Sequence, residues 1–207
     1  MGDDVPYRTA LENCELALPD SGFMVLSWFL RTGQWLPRLS GLRFLRHLLE
    51  DPAFRAEKRR FWVMPNDREC AANIEWLNAR GIETDEADTY VAPVYDSADL
   101  IDERLVSILK ERRPRYIVIN IGGGVQEILG YNLRATLEHN PVIACTGAAV
   151  AFLSGHQAAI PVWADRLFLG WLIRIASSPG SYFQRYWQAF GLLPLIFRFR
   201  ENPVREK

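Results

Sequence analysis

The stretch Tyr116-Ile117-Val118-Ile119-Asn120-Ile121, running straight into Gly122-Gly123-Gly124, constrains the fold of this chain more than any other. Its nearly continuous apolar and β-branched character predicts a strand buried on both faces, as in a parallel sheet covered by helices. Three glycines end it, and Val125 to Glu138 then has helical spacing. A similar unit follows: Pro141-Val142-Ile143-Ala144-Cys145 predicts another buried strand, ended by Thr146-Gly147. Upstream, Arg60 to Met64 is a short apolar run closed by Pro65-Asn66-Asp67, and Cys70 to Arg80 is a helix stopped by Gly81. Thr89-Tyr90-Val91 is a weaker strand. Ser97 to Arg112 predicts a helix capped by Ser97 and closed by Lys110, Arg112 and Arg113. Alternation of this kind predicts an α/β fold around a doubly wound, mostly parallel sheet.

The flanks differ. The first fifty residues are helical in pattern, with helices over Tyr7 to Leu16, Ser21 to Leu30 and Leu42 to Leu49, the last two joined by a turn from Pro37 to Gly41. After Gly155 the chain is helical and aromatic, with Trp163, Leu167, Trp171 and Arg174 at helical spacing until Pro179-Gly180 interrupts them. Residues 1–176 are therefore expected to form the α/β domain and residues 177–207 a helical, basic and aromatic C-terminal appendage. From Pro161 to Lys207 there are seven basic and three acidic residues, so that this segment is +4 while the rest is −5. Such asymmetry points to an anionic partner. A membrane surface fits it, and so does a helix packed on the sheet with its arginines in solvent.

Bulk properties remove several classes. An apolar share of 49% in 207 residues fills a core, and a net charge of −1 argues against general nucleic-acid binding. Cys14, Cys70 and Cys145 are sparse and unpaired in pattern, as expected in a reducing cytosol. The acidic start lacks the apolar region of a signal peptide, and no apolar run reaches the ~20 residues of a membrane span. A soluble or peripheral protein is expected.

Residues able to carry chemistry are few. Gly122, Gly123 and Gly124 expose backbone N–H groups at a helix start, a place suited to phosphate, and Thr146-Gly147 forms a second such strand end. Gln126 and Glu127 follow in the first helical turn, where a glutamine amide can both donate to and accept from a sugar or base. In both cases the bland reading is steric or surface polarity. Asp20, in Pro19-Asp20-Ser21-Gly22, is either a general base or a helix cap, and Arg38 either grips a diphosphate or lies in solvent. His47, His139 and His156 lack metal-ligand spacing, and no DxD motif is present. No metal and no cofactor is expected.

Taken in order, these segments resemble the WecG/TagA/CpsF family of bacterial glycosyltransferases (glycosyltransferase family 26). Leu18-Pro19-Asp20-Ser21-Gly22-Phe23 with Arg38 and Ser40-Gly41-Leu42 is similar to its "lpDG-gvv … R-tG-dl" block. YIVINIGGGVQE is similar to "il-vglG-PkQE" and ACTGAAVAFLSG to "igvGgafdflaG". Pro161-Val162-Trp163 through Arg174 resembles "aPrw-…-glEWlyRl", and Ser178-Pro179 with Arg185-Tyr186 the trailing "eP-R--Ry". The similarity spans nearly all of Pro6 to Tyr186. It implies a Rossmann-like fold and inverting, metal-independent transfer of a sugar from a UDP-sugar to a polyprenyl-diphosphate-linked acceptor. Such transfer serves teichoic acid, enterobacterial common antigen or exopolysaccharide synthesis, at the cytoplasmic face of the plasma membrane. The resemblance makes Asp20 the catalytic base, Arg38 an active-site arginine and Gln126 the polar residue of the PkQE block. It gives Arg185 and the rest of the appendage a part in completing the site and touching the membrane. It leaves room for a homo-oligomer.

Several positions depart from the family pattern. The strand–helix unit and "TpN" motif that precede the family's "pDG" have no counterpart. Ser21 replaces a glycine, Val125 the lysine of PkQE and Gly170 an acid; Ala159 stands where an arginine is usual, and Pro65-Asn66-Asp67 replaces paired glycines. These departures support a competing reading, a catalytically inactive member acting as a binding or scaffold protein in an exopolysaccharide pathway.

Overall fold

The computed structural model describes residues 5–95 and 100–155. Of these, residues 5–17 and 41–155 belong to one compact unit and residues 18–40 to another. The helices are α1 (Val5–Glu12), α2 (Gly22–Thr32), α3 (Gly41–Glu50), α4 (Pro52–Ala56), α5 (Asp67–Asn78), α6 (Glu103–Arg112), α7 (Val125–Thr136) and α8 (Ala149–Leu153). The strands are β1 (Arg60–Met64), β2 (Thr89–Val91), β3 (Tyr116–Ile119) and β4 (Val142–Cys145). The four strands form one parallel sheet in the order β2-β1-β3-β4. This is the expected α/β, Rossmann-like architecture.

Alternation along the strands separates two cores. Phe61 and Val63 of β1 and Ile117 and Ile119 of β3 share one face with Leu105 and Leu109 of α6 and Leu129 and Leu133 of α7. Trp62, Met64 and Val118 point the other way, into Leu45 and Leu49 of α3, Phe54 of α4, Leu77 of α5 and Val150 of α8. Every residue of β1 is buried. Its continuous apolar run follows from a helix layer on each side. Truncating the fully buried Trp62 to alanine would cost about 3–5 kcal/mol on this basis.

Arg60 is the polar exception in β1, only 5% exposed. Its guanidinium donates to the carbonyls of Phe54, Arg55 and Glu83, each at 3.1 Å, and lies over the Phe54 ring. Burial lowers its pKa from the usual arginine value, opposed by the carboxylates of Asp88, Glu83 and Glu57. Arg60 thereby ties the start of the central strand to the short helix α4, which the sequence pattern did not reveal.

Three expectations need correction. The helix expected over Ser97 to Arg112 begins at Glu103, because Asp102, not Ser97, caps it: the Asp102 carboxylate accepts the Leu105 N–H at 2.9 Å. Ser97 itself lies outside the described residues. The strand expected over Pro141 to Cys145 starts at Val142 and is not buried on both faces; only Ala144 is buried along it, since β4 ends the described sheet. The helix expected over Tyr7 to Leu16 stops at Glu12, and the Asn13 amide turns back to the Thr9 carbonyl. The domain boundary between residues 176 and 177, and the appendage beyond it, lie outside the described residues.

Asp102 also accepts the hydroxyls of Tyr90 at 2.8 Å and Tyr95 at 2.7 Å, which joins β2 and the following loop to the start of α6. Burial alone would raise the Asp102 carboxyl, but the Leu105 N–H and the two phenols together bring it below the usual carboxylate value. Burial first, then the hydrogen bond to this carboxylate, pushes Tyr90 up to about 12. A carboxyl lowered by folding stabilises above its unfolded pKa and loses that contribution as pH falls through the folded value. Replacing Asp102 with alanine should therefore cost about 1–2 kcal/mol at pH 7. The difference from wild type should shrink below about pH 4. Urea unfolding at both pH values measures it; an equal gap at both would remove the carboxylate from the account.

Candidate functional site

Leaving β1 the chain goes to β2 on one side; it then returns across β1 to β3 on the other. Connections that depart in opposite directions leave a crevice at the carboxyl ends of β1 and β3, the position where open α/β sheets bind ligands. The segments arriving there are Pro65-Asn66-Asp67 after β1, Asn120 to Gly124 after β3, and Thr146-Gly147 after β4.

Asn120 binds these ends together. Its N–H donates to the Val63 carbonyl at 2.8 Å, and its side-chain amide donates to the carbonyls of Val118 at 3.2 Å and Val63 at 3.3 Å. Its oxygen accepts the Thr146 hydroxyl at 2.9 Å. Both residues are buried. Thr146 thus spends its hydroxyl inside, and its backbone is engaged as well: its N–H donates to the Ile119 carbonyl at 3.0 Å and its carbonyl accepts the Ala149 N–H at 3.3 Å. The Thr146 carbonyl lies 3.1 Å from where a Cβ on Gly41 would stand, so α3 begins against the end of β4 with backbone close to backbone. Asn120 was visible in the sequence only as one polar residue closing an apolar run.

The glycine turn follows. Gly122 and Gly123 are exposed, and among the described residues their N–H groups carry no hydrogen bond. Gly124 has φ +93, a conformation that a side chain would strain, and it opens α7. Its N–H is already taken: Glu127 accepts it at 2.6 Å. The other Glu127 oxygen accepts the Gln126 amide at 2.9 Å, while the Gln126 carbonyl oxygen accepts the Gly147 N–H at 2.8 Å. Gln126 is only 7% exposed. Both its polar ends hold the site together, bridging the loops after β3 and β4. Below it, Cys145 donates its thiol to the main-chain carbonyl of Gln126 at 3.3 Å.

Asp20 and Arg38 meet in the unit of residues 18–40. The cap of α2 is Ser21, whose hydroxyl accepts the Met24 N–H at 3.2 Å. The Asp20 carboxylate is thus not the cap, and its side chain is 67% exposed. Arg38, with a side chain only 17% exposed, donates Nε to the Asp20 carbonyl at 2.7 Å and brings Nη2 within 3.8 Å of its carboxylate. The Leu39 N–H to Pro19 carbonyl bond, 3.2 Å, closes the same turn. Arg185 lies outside the described residues, as does His156. Among the described residues no three His, Cys, Asp or Glu side chains gather as metal ligands, and no helix is long and apolar enough to cross a membrane.

Comparison with known families matches the profile described as "Glycosyl transferase WecG/TagA/CpsF family" over residues 1–206. Comparison with curated proteins and with solved structures yields no match.

If Asn120 and Thr146 brace the crevice, removing one hydroxyl leaves a buried carbonyl oxygen unsatisfied. Thr146→Val should cost about 1–3 kcal/mol in urea unfolding, and Thr146→Ser should retain most of the stability. Equal stabilities for the two variants would show that the pair contributes only packing.

Proposed function

The chain belongs to the WecG/TagA/CpsF family of glycosyltransferases, and we propose that it transfers a sugar from a UDP-sugar to a polyprenyl-diphosphate-linked acceptor, with inversion and without a metal ion, in bacterial cell-surface polysaccharide synthesis. The observation that carries this reading is the state of Asp20: relieved of capping by Ser21, exposed, and anchored by Arg38. Such a carboxylate suits a general base. In an inverting step it takes the acceptor hydroxyl proton as that oxygen bonds to the anomeric carbon. The bond from that carbon to the UDP oxygen breaks on the opposite side, and UDP leaves with the electron pair. In this reading Arg38 offsets the charge that develops on the diphosphate.

The glycine turn supports the donor half of the proposal. The N–H groups of Gly122 and Gly123 and the positive end of α7 suit a diphosphate. Glu127, already bonded to the Gly124 N–H, restricts that role to the first two glycines. Gln126 and Gly147 act as positioning residues, because their hydrogen bond fixes the distance between the two loops. Arg185 and the appendage of residues 177–207 are assigned contact with the acceptor and with the inner face of the plasma membrane, from their basic and aromatic composition.

Calorimetry of UDP binding without metal tests the donor site. Wild type should bind, and Arg38→Ala and Gln126→Ala should bind at least about tenfold more weakly. Asp20→Asn should keep UDP affinity yet lower transfer by about 10²–10⁴-fold. A folded wild-type chain that binds no UDP would overturn the transferase reading in favour of a binding or scaffold role.

A further inference from the structure

A second charged feature lies at the opposite edge of the sheet, where strands begin rather than end. Arg59 precedes β1, Arg113, Pro114 and Arg115 precede β3, and His139 precedes β4; together they line an open cleft of about 240 Å³. Backbone pairing holds them side by side. The Arg115 N–H donates to the Arg59 carbonyl at 2.7 Å, and the Val142 N–H donates to the Arg115 carbonyl at 2.9 Å. Convergence of these arginines is therefore a product of strand register and not of side-chain attraction.

Their charge is largely uncompensated. Arg59 pairs with Glu57 at 3.2 Å, but neither Arg113 nor Arg115 has an acidic partner within 4 Å among the described residues. Residues 57–59, 112–115 and 138–140 carry five arginines and lysines against two acids. His139 is half-buried in the same cleft; its Nε2 is buried and unpartnered among the described residues. Its pKa is lowered by burial first and then by the positive charges of Arg113 and Arg59, opposed by a hydrogen bond with the Pro114 backbone. Arg113 also adopts φ 47, in the left-handed region where glycine or asparagine is the ordinary occupant. The sequence retains a long cation at a position that local conformation disfavours.

We propose that this cleft binds a phosphate group, by the forked donors of Arg113 and Arg115 with Arg59 at its side. Guanidinium groups match phosphate oxygens bidentately, and two of them, Arg113 and Arg115, gathered with no acid paired to either suit a multiply charged oxyanion. The cleft is smaller than the ~300–1,000 Å³ of sites that enclose drug-sized ligands, so it holds a phosphate or diphosphate group and not a whole nucleotide. Its residues are separate from those assigned to sugar transfer, and the proposal stands independently of that assignment.

The phosphate could come from a soluble molecule or from a lipid headgroup, and one set of proteins separates the two. The full chain is compared with Arg113→Asn/Arg115→Gln, in which asparagine keeps the left-handed cap, and with Arg68→Gln/Lys110→Gln as a control of equal charge change. Calorimetry with inorganic diphosphate should show binding weakened about tenfold or more in the first variant and unchanged in the control. Binding at the glycine turn would instead survive in that variant and weaken in Gln126→Ala. Sedimentation with vesicles of equimolar phosphatidylcholine and phosphatidylglycerol identifies a headgroup as the source when vesicle binding alone is lost in the Arg113/Arg115 variant. If that variant fails to fold, Arg115→Gln alone carries the same expectation. The proposal is overturned if wild type binds neither probe, or if the cleft variants bind both as wild type does.

Discussion

The parallel pairing of β1 with β3 is the constraint on which the rest of the larger unit depends. It places Trp62 beside Val118 and Phe61 beside Ile117, so two cores are filled from one register. A slip of one residue would exchange the faces of every side chain in β1, setting Trp62 against α6 and α7 and Phe61 against α3 and α5. The same pairing brings Asn120 to the Val63 carbonyl, beyond the last paired residues. Hydrophobic burial thus fixes the register, and the register sets the polar groups of the crevice.

Those polar groups form a second, smaller order. Asn120 holds β1 and β3, Thr146 attaches β4, and Gln126 ties the start of α7 to Gly147. Each bond is modest in water but considerable in a buried setting, where a broken partner cannot turn to solvent. Glu127 has a double effect. It stabilises the positive end of α7, and it also fills the Gly124 N–H that an incoming anion would otherwise use. The turn offers a ligand fewer donors than three consecutive glycines suggest.

Much of the fold was legible because its strands are short, apolar and separated by clear stops: Arg60 to Met64, Thr89 to Val91 and the start of the Tyr116 strand lie where the pattern puts them. What failed was local competition. Ser97 and Asp102 both suit a helix cap, and only the hydrogen bonds from Tyr90 and Tyr95, distant in pattern, show why Asp102 takes that place. The exposure of β4 is a property of its place at the end of the described sheet, which composition does not encode. At the candidate site, the glycine turn and the Asp20–Arg38 pair were readable as residue types. The inward use of Gln126 and Thr146 was not, since a side chain that binds a ligand and one that binds its own protein have the same letter.

The length of the strands has an electrical consequence. β1 advances about 3.3 Å per residue over five residues, so the glycine turn and the arginine cleft are separated by at least roughly 13 Å of buried apolar sheet. The Debye length at physiological salt is about 8 Å. Charge at one edge is therefore largely screened from the other along the solvent-exposed route. No ions enter the packed layers of Trp62 and Ile119, where screening is weaker, so what electrostatic coupling remains between the two ends runs through the sheet and not around it.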